Sequence, residues 1–167
     1  DSFHRQLVSV YGLNRRVVLE GFSRGGLFAF NWAAHQPKFC AAIYVDAPVC
    51  DFKSWPGGKG TGPGSAADWQ RLLSSYQLTE EQAMTYSQNP IDTVGELANE
   101  KIPVIAVIGE EDEIVPVTEN IDILESRFKA AGGLIKVIRK PGVKHHPHSL
   151  VDPRPIVDFL LESAYLD

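Results

Sequence analysis

Val17-Val18-Leu19-Glu20-Gly21-Phe22-Ser23-Arg24-Gly25-Gly26-Leu27-Phe28-Ala29-Phe30-Asn31-Trp32-Ala33-Ala34 decides the fold of this chain. The run Val17-Val18-Leu19 is short and apolar, the pattern of a buried strand. From Gly26 to Ala34 the pattern is that of a helix. Between the two, a serine stands among the glycines at 21, 25 and 26. A turn that passes directly from strand into helix is sharp. Side chains two residues before and after the serine are expected to collide with the neighbouring strand and helix, and the glycines remove them. Ser23 is thereby expected in a strained conformation, its hydroxyl exposed at the carboxyl end of a sheet over the positive end of the helix.

Outward from this turn, helix and strand signals alternate. A helix is predicted over residues 2–11, with Phe3, Leu7 and Val10 or Tyr11 at helical spacing and Gly12 as its stop. A strand over 16–20, a helix over 24–36 closed by Pro37, and a strand over 41–45 follow. From Ala47 to about Gly64 the chain is rich in Gly and Pro, including Trp55-Pro56-Gly57-Gly58, and reads as loop. Three short helices come next. The first follows Ser65 and carries Trp69, Leu72, Leu73 and Tyr76, and the second opens with the capping box Thr79-Glu80-Glu81-Gln82. The third covers 91–99. At Ile102 the alternation resumes with Pro103-Val104-Ile105-Ala106-Val107-Ile108, near-continuously apolar like a parallel strand covered on both faces. A helix with Ile121, Leu124 and Phe128 on one face stops at Gly132-Gly133, a strand covers 134–138, and a last helix after Asp152-Pro153 carries Ile156, Phe159 and Leu160. The pattern predicts a single α/β domain over 1–167, a mostly parallel sheet with flanking helices, interrupted by a helical lid-like insertion over 47–101.

A serine nucleophile needs a histidine base, and the histidine needs a carboxylate to fix its tautomer. The strand at 103–108 ends in Gly109-Glu110-Glu111-Asp112-Glu113-Ile114-Val115-Pro116, and the strand at 134–138 leads to Pro141-Gly142-Val143-Lys144-His145-His146-Pro147-His148. Serine, acid and histidine thus occur in that order, each at the end of a predicted strand. On these residues the chain resembles the α/β-hydrolase family, whose nucleophile elbow is a Gly-x-Ser-x-Gly turn between strand and helix. The resemblance covers essentially the whole chain and implies a serine hydrolase, esterase-like or prolyl-oligopeptidase-like. It implies Ser23 as nucleophile, Asp112 in the Gly-x-x-Asp-x-x-Val-Pro loop as acid, and His145, three residues after Gly142, as base. The backbone N–H of Arg24 matches one oxyanion donor. Such chemistry needs neither a metal nor an organic cofactor.

Rival readings attach to each position. Asp112 stands among Glu110, Glu111 and Glu113, and an acidic run is usually a solvated loop. Asp46, at the end of the strand over 41–45, competes with it as the acid. His145, His146 and His148 lie within four residues and only one can face Ser23; metal ligation is the other reading of the cluster. His4 and His35 read as ordinary helix residues. The insertion lies at the carboxyl end of the sheet, where open α/β folds bind ligands, and is expected to act as a lid or substrate wall over Ser23. Phe22, Trp55 and Trp69 are the wall candidates. With Tyr76 and Tyr86, the two tryptophans would line an acyl or sugar pocket or else pack the insertion onto the domain.

The expected activity is cleavage of a small-molecule carboxylic ester, a carbohydrate ester among the candidates. A prolyl-oligopeptidase-type peptidase is the alternative, and a non-catalytic binding protein on the same scaffold is the third. A net charge of −5 argues against nucleic acid or an anionic membrane as partner. No stretch approaches the roughly 18–20 apolar residues of a membrane span. Cys40 and Cys50 flank the strand over 41–45, and an extended strand at about 3.3 Å per residue keeps them too far apart for a disulfide. The resemblance also implies strands ahead of the first helix, together with a loop supplying a second oxyanion donor, and no His-Gly-Gly-Gly-like run is found. The chain is therefore expected to lack the family's amino-terminal strands. The strand over 16–20 would then be an apolar edge, to be paired by an upstream segment or by a dimer.

Overall fold

The strand begun by Val17-Val18-Leu19 runs on through the first half of the serine turn, so that β1 is Val17–Phe22. In the computed structural model, which describes residues 2–164, it is preceded by helix α1 (Ser2–Ser9) and followed by α2 (Gly25–His35). β2 (Cys40–Asp46), the short helices α3 (Ala66–Tyr76) and α4 (Glu80–Met84), α5 (Pro90–Asn99) and β3 (Val104–Gly109) come next. α6 (Ile121–Ala130), β4 (Ile135–Lys140) and α7 (Arg154–Ala164) complete the order.

The four strands form one parallel sheet in the order β1-β2-β3-β4, each paired with its predecessor in sequence. Right-handed crossovers that always step in one direction put their helices on one face. Accordingly α2, α5 and α6 pack there, through Phe30, Ala33, Val94, Leu97, Leu124 and Phe128, against Ile43, Val45, Val104, Ala106 and Ile108. The alternate residues Tyr44, Ile105 and Val107 face the other side, where α7 covers them with Ile156, Phe159 and Leu160. Phe30, Phe128, Leu97 and Leu124 are fully buried. Each contributes roughly 1.5–3 kcal/mol by leaving water.

β2 is buried along its whole length. β1 is an edge strand, alternately half-buried and exposed, with Val18 41% exposed. α1 reads in the sequence as a helix able to cover the sheet, yet none of its residues is buried. Instead His4 Nε2 donates to the Arg15 carbonyl in the following loop at 2.8 Å, and its ring lies against Trp32 and Phe39. Because a carbonyl only accepts, His4 is the donor.

The insertion divides in two. α5, which composition groups with it, belongs to the sheet's helical layer through Ile91, Val94, Leu97 and Ala98. Residues 47–89 instead build a small core of Phe52, Trp69 and Ala83, extended by Leu72, Leu73, Leu78 and Tyr86 and seated on Leu27 of α2. Its polar anchor is Asn120, 1% exposed. The Asn120 side chain accepts from the Cys50 and Asp51 N–H groups at 2.8 and 3.1 Å and donates to Ser54 Oγ and the Pro116 carbonyl. Cys40 and Cys50 are both buried free thiols, and burial pushes the Cys40 thiol up to about 12.

Ser23 has φ of +51°, a conformation that costs a non-glycine residue about 1–3 kcal/mol. Three backbone bonds hold it there. Its N–H donates to the Asp46 carbonyl at 2.8 Å, and its own carbonyl accepts from Gly26 and Val49, each at 2.9 Å. The steric demand falls on Gly21, as the sequence pattern suggests, and on Gly26 in place of Gly25. A Cβ on Gly21 would strike the Gly25 carbonyl and lie 3.1 Å from Ala29 Cβ, and one on Gly26 would lie 2.6 Å from Pro48 Cβ. A Cβ on Gly25 would meet nothing within 4 Å. Position 25 therefore matters through the closeness of its carbonyl to Gly21, and glycine itself is not required there. Gly21→Ala and Gly26→Ala are each expected to lower stability by about 1–3 kcal/mol in urea unfolding, and Gly25→Ala to change it by less than about 0.5 kcal/mol; equal losses at all three positions would refute this account.

Candidate active site

Ser23, Asp112 and His145 come from three loops at the carboxyl end of the sheet, following β1, β3 and β4. Ser23 caps the turn into α2 and is half-buried. Asp112 follows β3 by three residues and is 6% exposed, whereas Glu110, Glu111 and Glu113 around it are all exposed. The acidic run is thus a solvated loop with one residue turned inward. Asp112 Oδ1 accepts the N–H groups of Ile114 and Val115, both at 2.9 Å, which fixes the carboxyl group. Gly109 lets the histidine loop cross the end of β3, since a Cβ there would run into the Val143 and Lys144 carbonyl oxygens. The Glu111 N–H then donates to the Val143 carbonyl at 3.0 Å. His145 arrives beside Asp112 by this crossing.

The geometry links the three side chains. His145 Nδ1 donates to Asp112 Oδ2 at 2.7 Å, and His145 Nε2 lies 3.1 Å from Ser23 Oγ. With the proton held on Nδ1 by the carboxylate, the Nε2 lone pair is the acceptor and the serine O–H the donor. His145 is 8% exposed, so the chain of bonds is largely shielded from water. Arg24 stands at the amino end of α2 in helical conformation, φ −59°. The first N–H groups of a helix have no intrahelical acceptor, and of those here Gly26 donates to the Ser23 carbonyl at 2.9 Å.

A second carboxylate–histidine pair lies alongside. Asp46, 1% exposed at the end of β2, has Oδ1 2.7 Å from His148 Nδ1. Its Oδ2 accepts the Ser149 N–H at 2.6 Å and the Tyr44 hydroxyl at 3.2 Å. Burial pushes the Tyr44 hydroxyl up to about 12, which keeps it a donor to this carboxylate. Asp46, the rival acid, therefore serves His148 and not His145. His148 in turn stacks on Phe22, with ring centroids 5.3 Å apart. The sequence reading leaves this pair out, although a signal was present. An aspartate closing a wholly apolar strand is carried into the interior and must find a partner there.

The wall candidates separate. Phe22 is 40% exposed beside His148. Trp55 is half-buried and, with Arg24, Leu27, Asn31, Asp68 and Tyr76, lines a cavity of about 420 Å³ between the elbow helix and the insertion. Trp69 is 5% exposed, packs against Phe52 and donates its indole N–H to Glu80 at 2.6 Å. It is part of the insertion's own core. His4 and His35 lie on α1 and at the far end of α2, with ring nitrogens bonded to the Arg15 and Asn31 carbonyls. No helix among the described residues is long and apolar enough to cross a membrane.

A family model described as the prolyl oligopeptidase family matches residues 8–163. In structure the chain is similar to a puromycin-hydrolyzing peptidase of Mycobacterium tuberculosis, at 16% identity and a TM-score of 0.68, over 95% of this chain and 22% of that one. It is also similar to dipeptidyl peptidase 4 of Porphyromonas gingivalis, at 14% identity and a TM-score of 0.71, over 96% and 21%. A third likeness is to esterase PE8, at 18% identity and a TM-score of 0.58, over 97% and 57%. The chain thus spans about a fifth of the length of the two peptidases. These likenesses show the fold, that of the α/β-hydrolases. No curated protein matches the sequence. The Asp46 pairing generates a test of its own. Asp46→Ala removes the acceptor of Tyr44, Ser149 and His148 together, and the unfolding free energy is expected to fall by about 2–4 kcal/mol; an unchanged urea midpoint would show that the pairing adds nothing.

Proposed function

Because the chain belongs to the prolyl oligopeptidase family, we propose that it hydrolyses an acyl bond with Ser23 as nucleophile, His145 as base and Asp112 as the orienting acid. The observation that carries this reading is the pair of hydrogen bonds from Ser23 to His145 to Asp112, at 3.1 and 2.7 Å. As Ser23 Oγ attacks the carbonyl carbon, its proton passes to His145 Nε2. Asp112, fixed by two backbone N–H groups, stabilises the imidazolium that forms. The Arg24 N–H donates to the developing oxyanion. The tetrahedral intermediate collapses, His145 gives its proton to the leaving group, and an acyl-enzyme remains on Ser23. Water deprotonated by His145 then releases the acid and restores the serine.

The serine chemistry is common to esters and amides, so the substrate class rests on the family. The prolyl oligopeptidase match favours a peptide amide over the ester that the aromatic insertion suggests. The likeness to esterase PE8 keeps the carboxylic ester as a second reading. On either reading, residues 47–89 act as a wall. Trp55 and Tyr76 share a cavity with Arg24, the residue next to the nucleophile.

In the full-length protein, Ser23→Ala is expected to lower turnover by about 10³-fold or more with an unchanged urea midpoint. Labelling by a fluorophosphonate probe is expected to disappear with it. Residual activity within tenfold of the parent would exclude Ser23 as the nucleophile. Peptidyl p-nitroanilides and p-nitrophenyl acyl esters, assayed side by side, separate the substrate readings, because only a peptidase turns over the anilides efficiently.

A further inference from the structure

His145, His146 and His148 each place a ring nitrogen within 4.8 Å of the other two. Their rings pack edge to face, with centroid separations of 4.9, 5.3 and 4.5 Å. The catalytic reading uses only His145, and the Asp46 pairing accounts for the placement of His148 alone. We propose that these three imidazoles form an inhibitory site for a borderline transition-metal cation, of which Zn²⁺ is the representative, that closes the enzyme by taking its base. The inference rests on the reading of His145 as the base.

Two features beyond the count of histidines support it. Metal-binding histidines generally donate their other ring nitrogen to a carboxylate, which sets the tautomer and raises ligand basicity. His145 and His148 are both so arranged, with Nδ1 at 2.7 Å from Asp112 and from Asp46. The Nε2 lone pair of each is therefore the ligating one. The two carboxylates also place negative charge behind the ligands, which favours a cation in front of them.

The second feature is access. His146 is exposed and His148 half-buried, so an ion reaches the cluster from solvent without unfolding the loop. Zn²⁺ binds imidazole at about 2.0–2.1 Å in a tetrahedral shell, so the three nitrogens must close to about 3.4 Å of one another. The ring nitrogens already lie within 4.8 Å of one another, so the site closes on the ion by shifts of about 1–1.5 Å, taken up chiefly by the exposed His146, with water as the fourth ligand. The consequence for catalysis follows from valence. His145 Nε2 has one lone pair, and once that pair is given to the metal it cannot accept the Ser23 proton. Mg²⁺, which prefers oxygen ligands, has no comparable claim on the site.

The test uses the metal-free full-length protein, titrated with Zn²⁺ in a calorimeter and assayed in parallel for turnover and for fluorophosphonate labelling of Ser23. One saturable site is expected, with turnover and labelling lost as it fills, both restored by EDTA and neither affected by Mg²⁺. His146→Gln changes an exposed side chain outside the catalytic chain. It should leave metal-free turnover intact and raise both the Zn²⁺ dissociation constant and the inhibitory concentration at least tenfold. Absence of saturable binding, or equal affinity in His146→Gln, overturns the site. Zinc held at this site with turnover intact overturns the inhibition and counts against His145 as base. Turnover abolished by Ser23→Ala in a protein that binds no zinc overturns the metal site and leaves the catalytic reading standing.

Discussion

The backbone bond from Ser23 to the end of β2 is the constraint on which the rest depends. A serine at positive φ relaxes unless its surroundings over-determine it. Here the N–H is taken by the Asp46 carbonyl while the carbonyl is taken by Gly26 and Val49, so relaxation would break three bonds to recover one residue's strain. The same Asp46 uses its side chain to fasten the histidine loop through His148 and Ser149. One residue thus binds the Ser23 turn with its main chain and the His145 loop with its carboxylate. The relative position of Ser23 and His145 follows from the rigidity of a fully buried strand, not from flexible loop packing.

A comparable economy governs Asp112. The loop after β3 is solvated on one side and anchored on the other by Asn120, whose amide makes four bonds across the start of the insertion. Glu119 beside it holds Ser54 and Thr61, at 2.6 Å to each hydroxyl. Segment 50–61 is therefore fixed to the chain that follows Asp112 by side-chain bonds, while apolar packing on Leu27 holds the rest of the insertion. Any movement of the wall over the site must be hinged elsewhere than at this seam.

Much of this was legible in the sequence because it is local. The four strands announce themselves as short β-branched or continuous apolar runs, and the capping box at Thr79 opens α4 as its residues require. The strand ends marked the loops in which an acid and a histidine would stand, but Asp112 and His145 were singled out from the neighbouring glutamates and histidines by the resemblance to the α/β-hydrolases. What escaped was settled through space. Residues 46 and 148 are 102 positions apart, and nothing in either neighbourhood names the other. Trp69 could be read as a wall residue or as packing, and the packing role holds: it completes a miniature core whose other members, Phe52 and Ala83, belong to separate segments. α5 carries the apolar spacing of a core helix, yet its short length and its neighbours concealed which core it served. The glycine pattern misled in an instructive way, since Gly25 and Gly26 are indistinguishable as letters and only Pro48 tells them apart.

The strand order has a bearing on how the molecule is made. Because β1, β2, β3 and β4 add side by side in chain order, each strand leaving the ribosome finds its partner already at the growing edge. The side chains that meet at the carboxyl end of the sheet are delivered in the same sequence: Ser23 first, then Asp46, then Asp112, and His145 last. The Ser23 hydroxyl therefore waits for its hydrogen-bond partner until the loop after β4 has been made. The bonded series from Ser23 through His145 to Asp112 closes only then, when the four described strands that fix its spacing are already laid side by side.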